Sequence, residues 1–265
     1  MKLPINQIIC GDCLEIMKDW PDGCVDLVLT DPPYLTTKEI WDKKEVVSEE
    51  LSRELFRIAK PSCSLYCWCG IGEKSQSLIR WFPTFSKLWK FKDLITWKKQ
   101  RGIGMQKGWL YTREEIMWFV KDNKQFAWNK KFQYGDELNQ FKVGMKGTKV
   151  HPYKRISDVW IDIPEKLTRN TKVHFTPKPL KAIERIILVH TKENDVIFDC
   201  FAGSGTTCVA AKMLGRRYIG IDISPEYCQI TRERLKGVRP SLFEKPKKKI
   251  PEQTLGIKTK KRRIK

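Results

Sequence analysis

Long apolar runs are missing from this chain of 265 residues. A helix that spans a membrane needs about 20 consecutive apolar residues, and no stretch of the sequence approaches that length. The opening segment, Met1-Lys-Leu-Pro-Ile-Asn6, also lacks the apolar core of a secretion signal. Hydrophobic residues still make up 41% of the chain, which is enough to build a buried core. We therefore expect a soluble, cytoplasmic protein with no membrane partner.

Histidine is scarce, and the cysteines do not form a metal-binding pattern. The chain has three histidines and nine cysteines. Cys10-Gly-Asp-Cys13 has the spacing of a zinc knuckle, but Cys67-Trp-Cys69 is too tight for a second half-site and the histidines lie elsewhere. The odd number of cysteines and the absence of a secretion signal favour reduced, buried thiols over disulfides. We predict no metal site.

Acidic residues are outnumbered by basic ones, and the excess is local. Lys and Arg number 51 against 31 Asp and Glu, which gives a formal net charge of +20. Residues 98–172 hold seventeen basic and eight acidic side chains, and residues 241–265 hold ten and two. Such surfaces bind polyanions because each neutralised phosphate releases counterions. A solvated basic surface that only improves solubility is the alternative interpretation.

The most informative stretch reads as a strand, a glycine-rich turn, a helix and a second strand. Val196–Phe198 is a short apolar run typical of a buried parallel strand. Gly203 and Gly205 let a ligand approach the backbone of the turn, and the residues after them predict a helix up to Gly215. Asp222 ends the next apolar strand, where nucleotide-binding folds place an acid for a ribose. The stretch therefore indicates a nucleoside-bearing cofactor, with a tight turn that binds nothing as the alternative.

A second acidic strand end lies far away in the sequence. Val25–Thr30 is apolar apart from Asp26, and it delivers Asp31-Pro-Pro-Tyr34 at its carboxyl end. In open α/β sheets, ligands bind at this edge. An ordinary turn after a strand would explain one such loop, but two of them in one chain favour a shared site.

The two loops together resemble those of the DNA amino-methyltransferases, which carry a Phe-x-Gly-x-Gly cofactor loop and an Asp-Pro-Pro-Tyr catalytic loop. In this chain the catalytic loop comes first, which resembles the β-class order of that family. The resemblance implies a Rossmann-like α/β fold with a mostly parallel, doubly wound sheet, one antiparallel strand and an irregular target-recognition insertion. It implies S-adenosylmethionine as the cofactor and double-stranded DNA as the partner. A homodimer and a cognate restriction enzyme are further expectations from the resemblance.

The catalytic residues that the resemblance assigns are Asp31, Pro32, Pro33 and Tyr34. An exocyclic base amine is a poor nucleophile because its lone pair is delocalised into the ring. The Asp31 carboxylate and the Pro32 carbonyl would accept hydrogen bonds from its two N–H groups, since the prolines fix the direction of that carbonyl. Tyr34 would supply a face on which the base stacks.

The resemblance also assigns cofactor contacts. Asp12 matches an acid at the adenine end of the cofactor, although a helix cap is an equally good role for it. Lys178 would pair with the cofactor carboxylate, although the residues before it, Phe175-Thr-Pro177, depart from the pattern of the family. A solvated lysine at a helix start is the alternative. Cys200 stands where relatives commonly have Pro, which affects only the stiffness of the loop. The full cofactor set is Asp12, Lys178, Asp199, Phe201, Gly203, Gly205, Thr206 and Asp222.

Pattern and composition divide the chain into three parts. Residues 1–97 and 172–240 are predicted to form the catalytic domain, and residues 98–171 a target-recognition insertion. Residues 241–265 are predicted to be a basic, disordered tail because their apolar content is low. The aromatic and β-branched runs Leu88–Trp97 and Glu115–Val120 predict a pair of antiparallel strands at one side of the sheet.

Four activities are compatible with these features. Methylation of adenine N6 is preferred because Asp opens the catalytic loop, and cytosine N4 is the nearest alternative because the two chemistries share a site. The chain has no Pro-Cys dipeptide, the nucleophile motif of cytosine carbon-5 methyltransferases. A DNA-binding module that holds the cofactor without turnover is an alternative of another class, and methylation of RNA or protein is a further one.

Overall fold

The computed structural model describes residues 3–37, 43–103, 109–138, 151–165 and 177–240. Their strands form one eight-stranded sheet and one two-stranded ribbon. The strands are β1 (Gln7–Cys10), β2 (Val25–Thr30), β3 (Ala59–Cys69), β4 (Lys90–Ile103), β5 (Tyr111–Val120), β6 (Tyr134–Leu138), β7 (Tyr153–Arg155), β8 (Val159–Trp160), β9 (Val196–Asp199) and β10 (Arg217–Asp222).

The helices cover both faces of the large sheet. They are α1 (Cys13–Met17), α2 (Glu49–Ile58), α3 (Ser77–Ser86), α4 (Leu180–His190), α5 (Thr206–Met213) and α6 (Pro225–Lys236). The first three pack against one face, and the last three contribute to the core on the other. Among these described helices, none has the length and apolar character that crossing a membrane requires.

The order of strands in the large sheet is β1-β10-β9-β2-β3-β5-β4-β8. The first five of these strands are mutually parallel. β5 runs antiparallel to both of its neighbours, and β8 adds parallel to β4. The prediction of a mostly parallel, doubly wound sheet with one antiparallel strand is therefore confirmed, and so is the antiparallel pairing of the runs that became β4 and β5.

The two faces of the sheet build two apolar cores. Successive residues of β3 alternate between them: Tyr66 and Trp68 enter the core under α4 to α6, whereas Leu65 and Cys67 enter the core under α1 to α3. All six residues of β2 are buried, which explains its unbroken apolar sequence. Each fully buried Leu or Val stabilises the fold by about 1.5–3 kcal/mol. The central strands are thus rigid supports for whatever follows their carboxyl ends.

Part of the segment 98–171 belongs to the large sheet. β5 is an internal strand, since it pairs with β3 on one side and β4 on the other, and its apolar run Ile116–Val120 is buried. Trp160 in β8 is buried, pairs with Trp97, and packs against the Arg185 guanidinium at 5.0 Å. The ribbon of β6 and β7 stands apart from the sheet. Target recognition by the rest of this segment stays a prediction, and the predicted disorder of 241–265 concerns residues outside those described.

A buried histidine connects the sheet to α4. The Nδ1–H group of His190 donates to the Ala127 carbonyl (2.7 Å), with the Ser64 hydroxyl 3.2 Å from Nδ1, and Nε2 accepts from the Tyr66 hydroxyl (2.7 Å). Burial lowers the pKa of His190 to about 4. The folded protein therefore holds this ring neutral, whereas the unfolded chain protonates it below about pH 6.5.

The His190 contribution to stability falls as the pH is lowered from 7 to 5. Between the folded and unfolded pKa values the unfolded state binds the extra proton, so acid favours unfolding, by about 2 kcal/mol over this interval. The pKa of Asp199, raised by burial to about 7, acts in the opposite sense. Urea unfolding of wild type and His190→Gln at both pH values separates the His190 contribution from the Asp199 contribution, because Asp199 is common to both proteins. An identical pH dependence in the variant would contradict the prediction.

Candidate active site

Four acidic residues follow neighbouring strands at the carboxyl edge of the sheet. Asp12 comes after β1 and Asp31 after β2, while Asp199 and Asp222 are the last residues of β9 and β10. These strands are adjacent and parallel, with Cys10 opposite Asp222 and Gly220 opposite Asp199. The edge where parallel strands end is where open α/β folds bind ligands. The structure therefore brings the two sequence-predicted loops to one place.

The glycine-rich loop is anchored by the two carboxylates that flank it. Asp222 accepts hydrogen bonds from the Gly203 amide (2.7 Å) and the Ser224 amide (2.9 Å). Asp199 accepts from the Phe201 amide (3.1 Å) and from the Thr30 hydroxyl (2.9 Å), which ties this loop to the strand that carries Asp31. Burial raises the pKa of Asp199 to about 7 and raises that of Asp222 as well.

The glycines of the loop occupy backbone conformations that other residues avoid. Gly203 has φ +49° and Gly205 has φ +77°. A Cβ atom on Gly205 would lie 2.2 Å from Thr231 Cγ2, and the Thr231 hydroxyl donates to the Gly203 carbonyl at 2.8 Å. Thr206, at the start of α5, has a buried hydroxyl with no hydrogen-bond partner. Thr231 therefore packs closely against the backbone of the loop, and the Thr206 hydroxyl has no partner among the described residues.

The remaining predicted cofactor residues at this edge differ in their surroundings. Asp12 is exposed and caps α1, since its carboxylate accepts from the Leu14 amide at 2.8 Å. Phe201 is half-buried and packs against the core under α1 to α3. Cys200 is fully buried with its sulfur 3.4 Å from the Thr30 hydroxyl, so a small side chain fits where relatives have Pro. The helix cap, which the sequence left open as a role for Asp12, is present.

The loop Asp31–Tyr34 brings its aspartate within hydrogen-bonding distance of its tyrosine hydroxyl. Tyr34 donates to Asp31 Oδ1 at 2.6 Å, and its ring lies 5.7 Å from the ring of Trp81. Pro32 is buried and Pro33 half-buried. Arg80 donates to the Tyr34 carbonyl at 3.2 Å, which fixes the end of the loop to α3. These contacts hold the Asp31 side chain in a defined direction.

Lys178 lies at the catalytic loop. Its ammonium is 3.1 Å from Asp31 Oδ2, 3.0 Å from Glu114 Oε2 and 3.3 Å from the Tyr34 hydroxyl. It also lies 5.2 Å from the ring centroids of Tyr34 and Trp68. Burial lowers the pKa of Lys178, but the two carboxylates raise it by more, so the pKa is raised and the side chain is charged. The predicted pairing with a cofactor carboxylate stays a prediction.

Two lysines and two carboxylates form a chain of ion pairs at this loop: Asp31 with Lys178, Lys178 with Glu114, and Glu114 with Lys99. Glu114 in β5 pairs with Lys178 and, through its other oxygen, with Lys99 in β4. Burial raises the pKa of Glu114, but the two lysines lower it by more, so its pKa is lowered. Burial raises the pKa of Asp31 against the opposing effect of Lys178, with a net rise.

Sequence reasoning missed Glu114 and Lys99. A signal for Glu114 was present, because consecutive residues of a strand face opposite sides and Glu114-Glu115 must place one carboxylate on each face. Glu115 is indeed on the other face, where it accepts from the Thr96 hydroxyl at 2.6 Å. The sequence could not show that Lys178, more than sixty residues after Glu114, lies beside it in the fold.

A doubly wound sheet with a glycine-rich loop and acidic strand ends at its carboxyl edge defines the Rossmann-like class of α/β proteins. The N6/N4 methyltransferase family model, described as DNA methylase, matches residues 25–233. Type II methyltransferase M.HpaI of Haemophilus parainfluenzae is 31% identical over 240 residues, covering 87% of this chain and 74% of that protein. The chain belongs to this family of DNA methylases.

Solved structures show the same fold. M1.HpyAVI, whose structure was determined as a complex with SAM, superposes with a TM-score of 0.62 at 24% identity, covering 86% of this chain and 98% of that one. The cytosine-N4-specific PvuII DNA methyltransferase gives 0.65 at 16% identity, covering 94% and 89%. The fold prediction is confirmed by both.

Proposed function

We propose that the protein transfers the methyl group of S-adenosylmethionine to the exocyclic N6 amine of an adenine flipped out of double-stranded DNA. The observation that carries this proposal is the hydrogen bond between the Thr30 hydroxyl and Asp199, which joins the Asp31 loop to the glycine-rich loop across adjacent strands. A methyl donor on one loop and an acceptor amine on the other would meet at this edge. Membership of the DNA methylase family supports DNA as the substrate.

The residues at the glycine-rich loop fit the cofactor. Gly203 and Gly205 hold the loop in a backbone conformation that other residues avoid, and the buried Thr206 hydroxyl offers an unused hydrogen-bonding group. Asp222 would hold the ribose hydroxyls with the lone pairs that its two amide contacts leave free, and Asp12 the adenine end. Asp199 and Phe201 would shape the loop, and Lys178 would meet the carboxylate. When bound, S-adenosylmethionine supplies an electrophilic methyl group that needs no covalent enzyme intermediate.

The chain's own residues would prepare the amine. Asp31 and the Pro32 carbonyl accept hydrogen bonds from its two N–H groups, which favours a pyramidal nitrogen with an available lone pair. The charge that develops on the nitrogen is stabilised by the Asp31 carboxylate. Tyr34, held through its hydroxyl by Asp31, offers its ring to the base. The Pro33 ring restricts the loop so that these groups do not reorganise during the reaction.

Flipping a base out of a duplex costs a few kcal/mol, which contacts to the backbone and the base must offset. The basic residues of 98–172 would supply the phosphate contacts, which bring the duplex to the site without reading its sequence. A homodimer and a cognate restriction enzyme stay predictions from the family resemblance.

Isotope-labelled S-adenosylmethionine tests the proposal directly. The purified protein is incubated with unmethylated genomic DNA, the DNA is digested to nucleosides, and the labelled base is identified by mass spectrometry. We expect label on adenine N6. Label on cytosine N4 would keep the mechanism and correct the base, because the same two acceptors suit that amine. If no DNA base carries the label, the proposal is overturned, whether or not RNA or protein is methylated instead.

A further inference from the structure

The carboxylate that the proposed reaction needs is already engaged. Asp31 Oδ1 accepts from the Tyr34 hydroxyl, and the Lys178 ammonium lies 3.1 Å from Oδ2. An amine that becomes cationic during methyl transfer gains most from a carboxylate whose charge is not shared with a neighbouring ammonium. Lys178 must therefore turn away from Asp31 before the target amine can take full advantage of it.

A second anion is placed to receive Lys178. The Lys178 ammonium is 3.0 Å from Glu114 Oε2, which is as close as it is to Asp31. That oxygen is buried, and the Lys178 ammonium lies within ion-pair distance of it. Glu114 thus offers Lys178 a second anion toward which its ammonium can shift when it leaves Asp31.

Glu114 is itself held in position. It lies in an internal strand with its side chain 15% exposed, and its Oε1 is paired with Lys99 from the neighbouring strand. Asp31, by contrast, is on a loop after β2 with its side chain 29% exposed, so it is the more accessible of the two carboxylates. A buried ammonium without an anion would be costly, and Glu114 removes that cost when Asp31 is needed elsewhere.

We propose that Glu114 is a positioning residue for methyl transfer, which takes over the Lys178 ammonium when Asp31 turns to the amine of the target base. The inference rests on the proposed function, since it assigns Asp31 to the amine. Glu114 touches neither the base nor the cofactor in this role. It acts through Lys178 alone.

Glu114→Gln tests the proposal, with Glu115→Gln as the matched control on the same strand but the opposite face. The enzyme is loaded with saturating S-adenosylmethionine, mixed with unmethylated genomic DNA, and followed through a single turnover. We expect Glu114→Gln to slow methyl transfer by roughly 10- to 100-fold, the range for a reacting group left misplaced. Calorimetry measures the cofactor affinity separately, because Lys178 also would meet the cofactor carboxylate, and saturating cofactor keeps any change in affinity out of the measured rate. Glu115→Gln, normalised to folded protein, should react at the wild-type rate.

The double variant Glu114→Gln with Lys178→Met separates a positioning role from a merely structural one. In Glu114→Gln, Lys178 should stay paired with Asp31 because its other anion is gone. Removing the lysine as well frees Asp31, so the double variant should react faster than Glu114→Gln at saturating cofactor and mildly alkaline pH. A wild-type rate in Glu114→Gln, or a double variant as slow as the single one, would overturn the inference. A wild-type enzyme that methylates no base would instead overturn the proposed function.

Discussion

Asp31→Ala is expected to lower methyl transfer to DNA by about 10²- to 10³-fold, as loss of a preorganised group at the reacting centre does. The variant loses both the acceptor for the amine and the charge that stabilises the developing cation. It should still fold, because Glu114 keeps the buried Lys178 ammonium paired. Single-turnover transfer from labelled S-adenosylmethionine measures the effect, and calorimetry should show that the cofactor still binds.

Asp31→Asn is the graded comparison for this prediction. The amide keeps an acceptor oxygen of similar shape but carries no charge, so its rate should fall between that of wild type and that of Asp31→Ala. This ranking separates hydrogen bonding from charge. Full activity in the alanine variant would refute the assignment of Asp31 to the amine.

Gly205→Ala is expected to destabilise the fold by about 2–5 kcal/mol, since it combines backbone strain with overpacking. Residue 205 has φ +77°, and the added Cβ would lie 2.2 Å from Thr231 Cγ2 and 2.9 Å from Thr231 Cβ. Thr231 is fully buried and cannot move aside. The loop backbone must shift instead, which should weaken cofactor binding about tenfold or more, equivalent to ~1.4 kcal/mol. Urea unfolding and calorimetry measure the two effects.

Gly23→Ala is the control for backbone strain alone. Gly23 has φ +60°, and nothing lies within 4 Å of the position of its Cβ. The cost should be about 1 kcal/mol, with no effect on the cofactor, because the turn after α1 lies away from the glycine-rich loop. Equal destabilisation in the two variants would show that the contact with Thr231 does not matter.

The two loops were predictable from the sequence because each is built from neighbours in the chain. A buried strand reads as an apolar run, and the residue after it lies at the carboxyl edge whatever the rest of the fold does. Asp31 and Asp222 were found in this way. The same reasoning predicted the antiparallel pair of β4 and β5, since their aromatic and β-branched runs are strong strand formers.

The boundary between core and insertion was harder to read. The predicted insertion, 98–171, contains β5, a strand that its own sequence pattern predicted, but residues 125–171 have weak periodicity and yet contain β8 at the edge of the large sheet. A two-residue strand such as β8 has no pattern to detect, and it exists only because Thr96 and Trp97 offer it an edge to pair with. Pairing partners of this kind are set by the tertiary fold.

The sequence by itself determined the class of sheet, the glycine-rich loop and the acidic strand ends, because these depend on local pattern and on the fixed geometry of parallel strands. Only the tertiary structure decided which charges meet at the Asp31 loop. Lys178 comes from the segment just before α4, Glu114 and Lys99 from two antiparallel strands, and Asp31 from the loop after β2. Ionic contacts between such distant residues depend on how the elements pack, and no local pattern records that.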